Sequence, residues 1–189
     1  MLVQSAALPL NNLVGVGLLT WSNAMYVRHF PETLAAQPWA RTFIMVMYGV
    51  TVLVAMVVGV DVVKKRFTGR EKLFMLIMSV AGAVGLVLTV SMSSLWTSAV
   101  LLWFSNSFVM MAFAAILVLP YRIIPVCIIG SAFAVINIGA LVGGIIQGSL
   151  IGGIVDAAGY PWAFTALAVL LIVAGLVPYL LKEPAGTPV

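Results

Sequence analysis

The 189-residue chain is 63% hydrophobic and 7% charged, with a formal net charge of +4, whereas soluble domains average roughly 45–50% apolar and about 25% charged residues. So little polar surface excludes a water-soluble fold and marks an integral membrane protein. The basic excess does not point to nucleic acid, because the cations fall between long apolar runs and no interleaved basic and aromatic surface is present.

A transmembrane helix needs about 20 mostly apolar residues, and a charge at the bilayer centre costs about 2.5–3.5 kcal/mol on the insertion scale, so charges punctuate the chain. Residues 1–27 carry none. They lack the basic start of a signal peptide and stay apolar for longer than a signal core, so they read as a mature first span over 5–27. The segment RHFPETLAAQPWAR (28–41) follows, with Arg28, Glu32 and Arg41, and with Pro31 and Pro38 to interrupt a helix. A second span covers 42–61. The loop KKRFTGREK (64–72) then gathers five of the nine basic residues. Residues 73–121 are uncharged and long enough for two spans, 73–91 and 97–119, turned by SMSS at 91–94 and closed by Arg122 and Pro125. A glycine-rich fifth span covers 126–154, DAAGYP (156–161) turns the chain, and a sixth span covers 162–181 before the tail KEPAGTPV. Such runs do not alternate as strands, and helices satisfy their own backbone hydrogen bonds in lipid. The expected fold is an all-α polytopic membrane bundle, one domain of six transmembrane helices.

Six spans place both termini on one side. With that side cytoplasmic, Lys64, Lys65, Arg66, Arg70, Lys72, Arg122 and Lys182 lie inside and only Arg28 and Arg41 outside, as the positive-inside rule requires. Trp39, Trp96, Tyr160 and Trp162 then fall near the outer interface, and Tyr121 and Tyr179 near the inner one.

Enzyme chemistry has little to stand on. The single histidine, His29, lies in the outer loop. Neither a metal cluster, nor a phosphate loop, nor a paired carboxylate is apparent, and Cys127 has no second cysteine. No cofactor is expected. Polar residues within spans are a different signal, since they are tolerated when they face a bundle interior or a wet cavity. Asn12, Leu19, Asn23 and Tyr26 share one face of the first helix. The fourth span offers Trp103 and Asn106, and the fifth Asn137 and Gln147. These six, Asn12, Asn23, Trp103, Asn106, Asn137 and Gln147, are the candidate cavity groups; the bland alternative for each is an interhelical hydrogen bond, worth about 0.6 kcal/mol. Gly139, Gly143, Gly144, Gly148 and Gly152 recur on the fifth helix at four-residue spacings that let helix backbones approach closely. No Asp, Glu, Lys or Arg falls at mid-membrane, so a proton relay is not evident.

The second span ends GVDVVKKRFTGR (59–70) and the fifth ends GGIVDAAGY (152–160). Both place glycine, aspartate and a later glycine at a helix-to-helix turn, on opposite sides of the membrane, as a 3+3 inverted repeat predicts.

Together these features resemble the C-terminal six-helix half of a major facilitator superfamily transporter. The loop is similar to the family's cytoplasmic loop motif, with Gly59, Arg66, Gly69, Arg70 and Lys72 in its glycine and basic places. Lys65 stands where the family carries an aspartate, and Thr68 is an extra residue. The stretch GSAFAVINIGALVGGIIQGSLIGGIVDAAGYPWAF (130–164) resembles the penultimate helix and final turn. The resemblance implies a secondary transporter of the cell (inner) membrane working by alternating access on a small solute. It also implies that the first, second, fourth and fifth helices line the cavity. It further implies a second six-helix half: a separate chain, a homodimer partner, or an N-terminal half preceding residue 1, where the usual linker is not seen. The alternative is a truncated, non-transporting bundle with a packing or assembly role.

Overall fold

The computed structural model describes residues 4–118, 127 and 129–180. Tyr121, expected near the inner interface, Arg122 and Lys182, expected on the inner side, and Pro125, expected to close the fourth span, lie outside the described residues. In chain order the elements are α1 (Gln4–His29), α2 (Pro31–Ala36), α3 (Pro38–Arg66), α4 (Glu71–Ser91), α5 (Leu95–Val118), α6 (Ile129–Ala158), α7 (Tyr160–Leu176) and a closing 3-10 turn, Val177–Leu180. No strand occurs among the described residues.

The prolines of the outer segment start helices rather than simply breaking the chain. Pro31 and Pro38 occupy the first turns of α2 and α3, where the missing N–H has no partner to lose and the fixed φ suits a helix. Helix α3 therefore begins before residue 42. It also runs past residue 61, so Lys64, Lys65 and Arg66 form its last turn, where cations offset the negative end of the helix dipole. What remains of the basic loop is a tight turn. Gly69 takes φ +80°, Thr68 Oγ1 donates to the Lys64 carbonyl at 2.6 Å, and the Gly69 N–H donates to Glu71 Oε1 at 2.9 Å. The α6–α7 junction is equally short and turns on Gly159 at φ +86°. These two glycines are the only positive-φ residues among those described.

The helices pack in a pattern that exchanges with itself. Helix α1 lies on α6 and α5 on α3; α4 lies on α5 and α7 on α1; α1 touches α5 and α4 touches α7. Swapping the first three long helices (α1, α3, α4) for the last three (α5, α6, α7) exchanges these contacts among themselves, although the α6–α7 contact has no comparable α3–α4 counterpart. The close approaches follow the same exchange. On α6, a Cβ at Gly143 would run into the Pro9 carbonyl of α1, and on α3 a Cβ at Gly59 would lie 3.0 Å from the Met111 Cα of α5. The main core joins Val14, Leu18, Ile44, Leu86, Leu102, Ile151, Phe164 and Leu167. A second cluster brings Leu8, Val63, Phe74, Ile116 and Val177 together, which puts the start of α1 and the end of α7 at the same end of the bundle as the basic turn.

Five segments among the described residues are long and apolar enough to cross a membrane: α3, α4, α5, Asn137–Ala158 of α6, and Tyr160–Leu180. Helix α1 has the length but is more polar, with Asn11, Asn12, Thr20, Ser22 and Asn23 inside it. It is also the helix that touches most of the others.

The glycine contacts make a direct prediction. Gly143→Val should cost about 1–3 kcal/mol, the usual range for overpacking. Gly148→Ala, with nothing within 4 Å of the new methyl, should be neutral or stabilise by up to about 1 kcal/mol through helix propensity. Unfolding of both variants in lipid nanodiscs checks the pair, and equal effects would show that α1 and α6 are not held by backbone proximity.

Candidate functional site

A cleft of about 210 Å3 opens between α1, α3 and α5. Helix α1 contributes Asn11, Asn12, Gly15, Val16 and Leu19, α3 contributes Tyr48 and Val52, and α5 contributes Met110 and Phe113. The wall is apolar apart from two amides and one phenol, and it contains no charged residue. Glycine at position 15 fits because the Met110 methyl lies 3.2 Å from where its Cβ would be. The Tyr48 hydroxyl points at the Gly15 carbonyl, 3.5 Å away.

Asn11 is the least expected member. It is 1% exposed, and neither its amide nitrogen nor its amide oxygen has a hydrogen-bond partner. An unmade buried hydrogen bond costs about 1–3 kcal/mol, so native structures rarely leave both ends of an amide unpaired. The signal in the sequence was the pair Asn11–Asn12 within an apolar run. The shared face of Asn12 with Asn23 drew attention to only one of the two.

The six residues expected to line a cavity are distributed over several places. Asn12 lines the cleft, and its amide nitrogen stands 3.7 Å from where a Cβ at Gly144 would be. Asn23 lies farther along α1, near its C-terminal end, where its carbonyl oxygen accepts from Arg41 Nε at 2.9 Å. Trp103 donates from Nε1 to the Ile44 carbonyl at 3.1 Å and stacks edge-on with Phe43, so it ties α5 to α3. Asn106 is fully buried in α5 with both amide atoms unpaired. Asn137 is exposed on α6. Gln147 accepts from Trp21 Nε1 at 3.2 Å and joins α6 to α1.

The glycines of α6 divide in the same way. Gly143 meets the Pro9 backbone and Gly152 meets the Trp21 ring at 3.3 Å, whereas Gly144 faces Asn12 and Gly148 faces open space. Gly139 is half-buried.

At the basic turn, Gly59 is buried in the α3–α5 contact, and Arg66, Gly69 and Arg70 are exposed, with Lys72 half-buried. Lys65 pairs with Asp61 at 2.8 Å on the surface, where such pairs contribute little. Sequence reasoning passed over Glu71, which is 5% exposed and opens the first turn of α4, where a carboxylate complements the helix dipole. Among the described residues no group of three His, Cys, Asp or Glu side chains gathers.

A family model described as Major Facilitator Superfamily matches residues 12–189. The chain belongs to the major facilitator superfamily. Members of this family are membrane transporters, so the apolar helices of this major facilitator protein are transmembrane helices and its polar interior belongs to a transport fold. No curated protein and no solved structure matches the chain significantly.

Asn106 tests how the major facilitator bundle tolerates an unpaired interior amide. Asn106→Leu removes two unmet hydrogen-bonding groups at similar volume and should raise stability by about 1 kcal/mol. A fall in the unfolding midpoint of the purified protein would mean that this amide has a partner in the membrane.

Proposed function

We propose that the protein is one half of a secondary active transporter that moves a small solute by alternating access, with the cleft beside α1 forming one wall of the substrate site. The carrying observation is the cleft itself. It runs along the most polar of the long helices, and among the described residues only α1, α3 and α5 line it.

The rest of the reading has support of its own. On this assignment α1 also spans the membrane, as the first of six, and the six long helices form a 3+3 inverted repeat. The exchange of neighbours and the two turn glycines, Gly69 and Gly159, agree with that. The basic turn faces the cytoplasm, with both ends of the bundle on the same side, in a cell (inner) membrane. A second six-helix half covers the remaining surface. Helices α3 and α6 are the least buried of the candidate spans, and both carry rows of exposed apolar side chains, such as Val46, Val50, Leu53 and Val57 on α3 and Leu141 and Ile145 on α6. Helix α3 lines the cleft and α6 packs on α1, which also lines it, and a facing half would meet both. Asn12 and Asn11 are the polar contacts in the wall, with Asn106 behind it. Trp103 and Gln147 hold the wall helices in place, and Asn23 and Asn137 extend the polar surface along α1 and α6.

Leu19→Cys, in a Cys127→Ser background, gives a thiol in the cleft wall at an exposed position. A charged, membrane-impermeant thiol reagent should label it from either side, in right-side-out and in inverted vesicles, because alternating access opens the same site to both. Labelling from neither side would mean that the cleft faces lipid and that the bundle has a packing role. Thr68→Cys in the same background should react only in inverted vesicles; reaction from outside would reverse the orientation.

A further inference from the structure

We infer that the cleft between α1, α3 and α5 selects an uncharged solute with an apolar body and one amide-like group, and that Asn11 is the residue that reads that group. This assignment rests on the transport reading for the site's location, and it adds the chemistry of what fits there.

Three observations carry it. First, the wall has no Asp, Glu, Lys, Arg or His. An ion entering it would lose water and gain no counter-charge, and a buried unpaired charge is far more costly than a buried neutral polar group. Second, most of the wall is aliphatic, thioether or aromatic, with Val16, Val52, Met110 and Phe113 around the opening. That suits a flat or branched apolar body. Third, Asn11 stands in this wall with donor and acceptor both shut from water and both unpaired. Such an amide has no bond to give up when a ligand arrives. It offers one donor and one acceptor side by side, the complement of a primary or secondary amide. To meet a solute, the amide has to rotate from this covered position into the cleft that the residue lines. A site built this way rejects an analogue that cannot complete the pair, because the wall amide then stays unmet. Asn12 and the Tyr48 hydroxyl lie on the same wall as secondary contacts.

Benzamide, benzoate and benzylamine share one shape and carry zero, negative and positive charge at neutral pH. Equilibrium dialysis against the protein in lipid nanodiscs, with empty nanodiscs subtracted, measures the three. Benzamide is expected to bind roughly tenfold or more tighter than either ion. Asn11→Leu should weaken benzamide by roughly tenfold or more while the thermal midpoint stays at or above that of the unaltered protein. A midpoint that does not fall separates a reading group from a structural one. Val52→Phe, which fills the cleft without touching the amide, should also abolish benzamide binding, and so covers the case in which Asn11→Leu does not fold. Equal binding of either ion, binding of none of the three, or undiminished benzamide binding by either folded variant overturns the assignment. The transport reading is judged separately. Selective benzamide binding together with Leu19→Cys labelling from one side only would leave the solute class standing and remove alternating access.

Discussion

Asparagine in hydrocarbon sets the terms for this fold. An amide cannot face lipid tails without leaving donor and acceptor unmet, so a helix that carries Asn11, Asn12 and Asn23 must be surrounded by protein or by a wet cavity. Helix α1 is placed accordingly. It lies against α5, α6 and α7, while helices whose composition lets them face lipid, such as α3, are covered on one side only. Centrality and polarity go together in this chain. The helix least able to stand alone in a bilayer is the one the others enclose.

Close enclosure depends on glycine. Without a Cβ at Gly143, the α6 backbone reaches the Pro9 carbonyl, whose helix already lacks one N–H at that proline. The equivalent approach of α3 to α5 at Gly59 uses the same device. In lipid no hydrophobic force drives helices together, so van der Waals contact at small residues and a few interhelical hydrogen bonds do the work. Trp21 to Gln147 and Trp103 to the Ile44 carbonyl are two such bonds. Both join a helix of one triplet to a helix of the other, and the first lies beside Gly152. Indole N–H groups suit this use because they donate once and present a large apolar body to the rest of the interface.

Much of this was legible in the residues, and the reasons differ by feature. The all-helical membrane character follows from the long uncharged apolar runs, because the cost of a buried charge is large compared with other local preferences. The ends were less legible. Pro38 reads as a breaker in isolation but starts α3, and Lys64 to Arg66 read as loop but end a helix, because dipole and capping effects of about 1 kcal/mol or less decide such boundaries. The site was partly legible. Polarity identified α1, but a shared helical face selected Asn12 and Asn23, and the cleft wall takes the neighbouring Asn11 instead of Asn23. Which amide is unpaired depends on the surrounding side chains, and no periodicity in a single helix encodes that. Gln147 shows the same limit from the other direction: its partner, Trp21, is 126 positions away.

The division of polar groups between fastening and reading has a mechanical consequence. A transporter wall must keep its helices together through a rocking motion while leaving some polar groups free for the solute. On the proposed reading the two tasks fall on different amides. Gln147 is occupied by Trp21, and Asn23 by Arg41, so both are committed to the scaffold in this conformation. Asn11 is not committed to any group, and it stands in a mostly apolar wall. A committed amide stabilises one arrangement of helices. An uncommitted one gains most from whatever enters the cleft, and that difference in interaction between filled and empty states is the only means by which a solute can shift a conformational equilibrium.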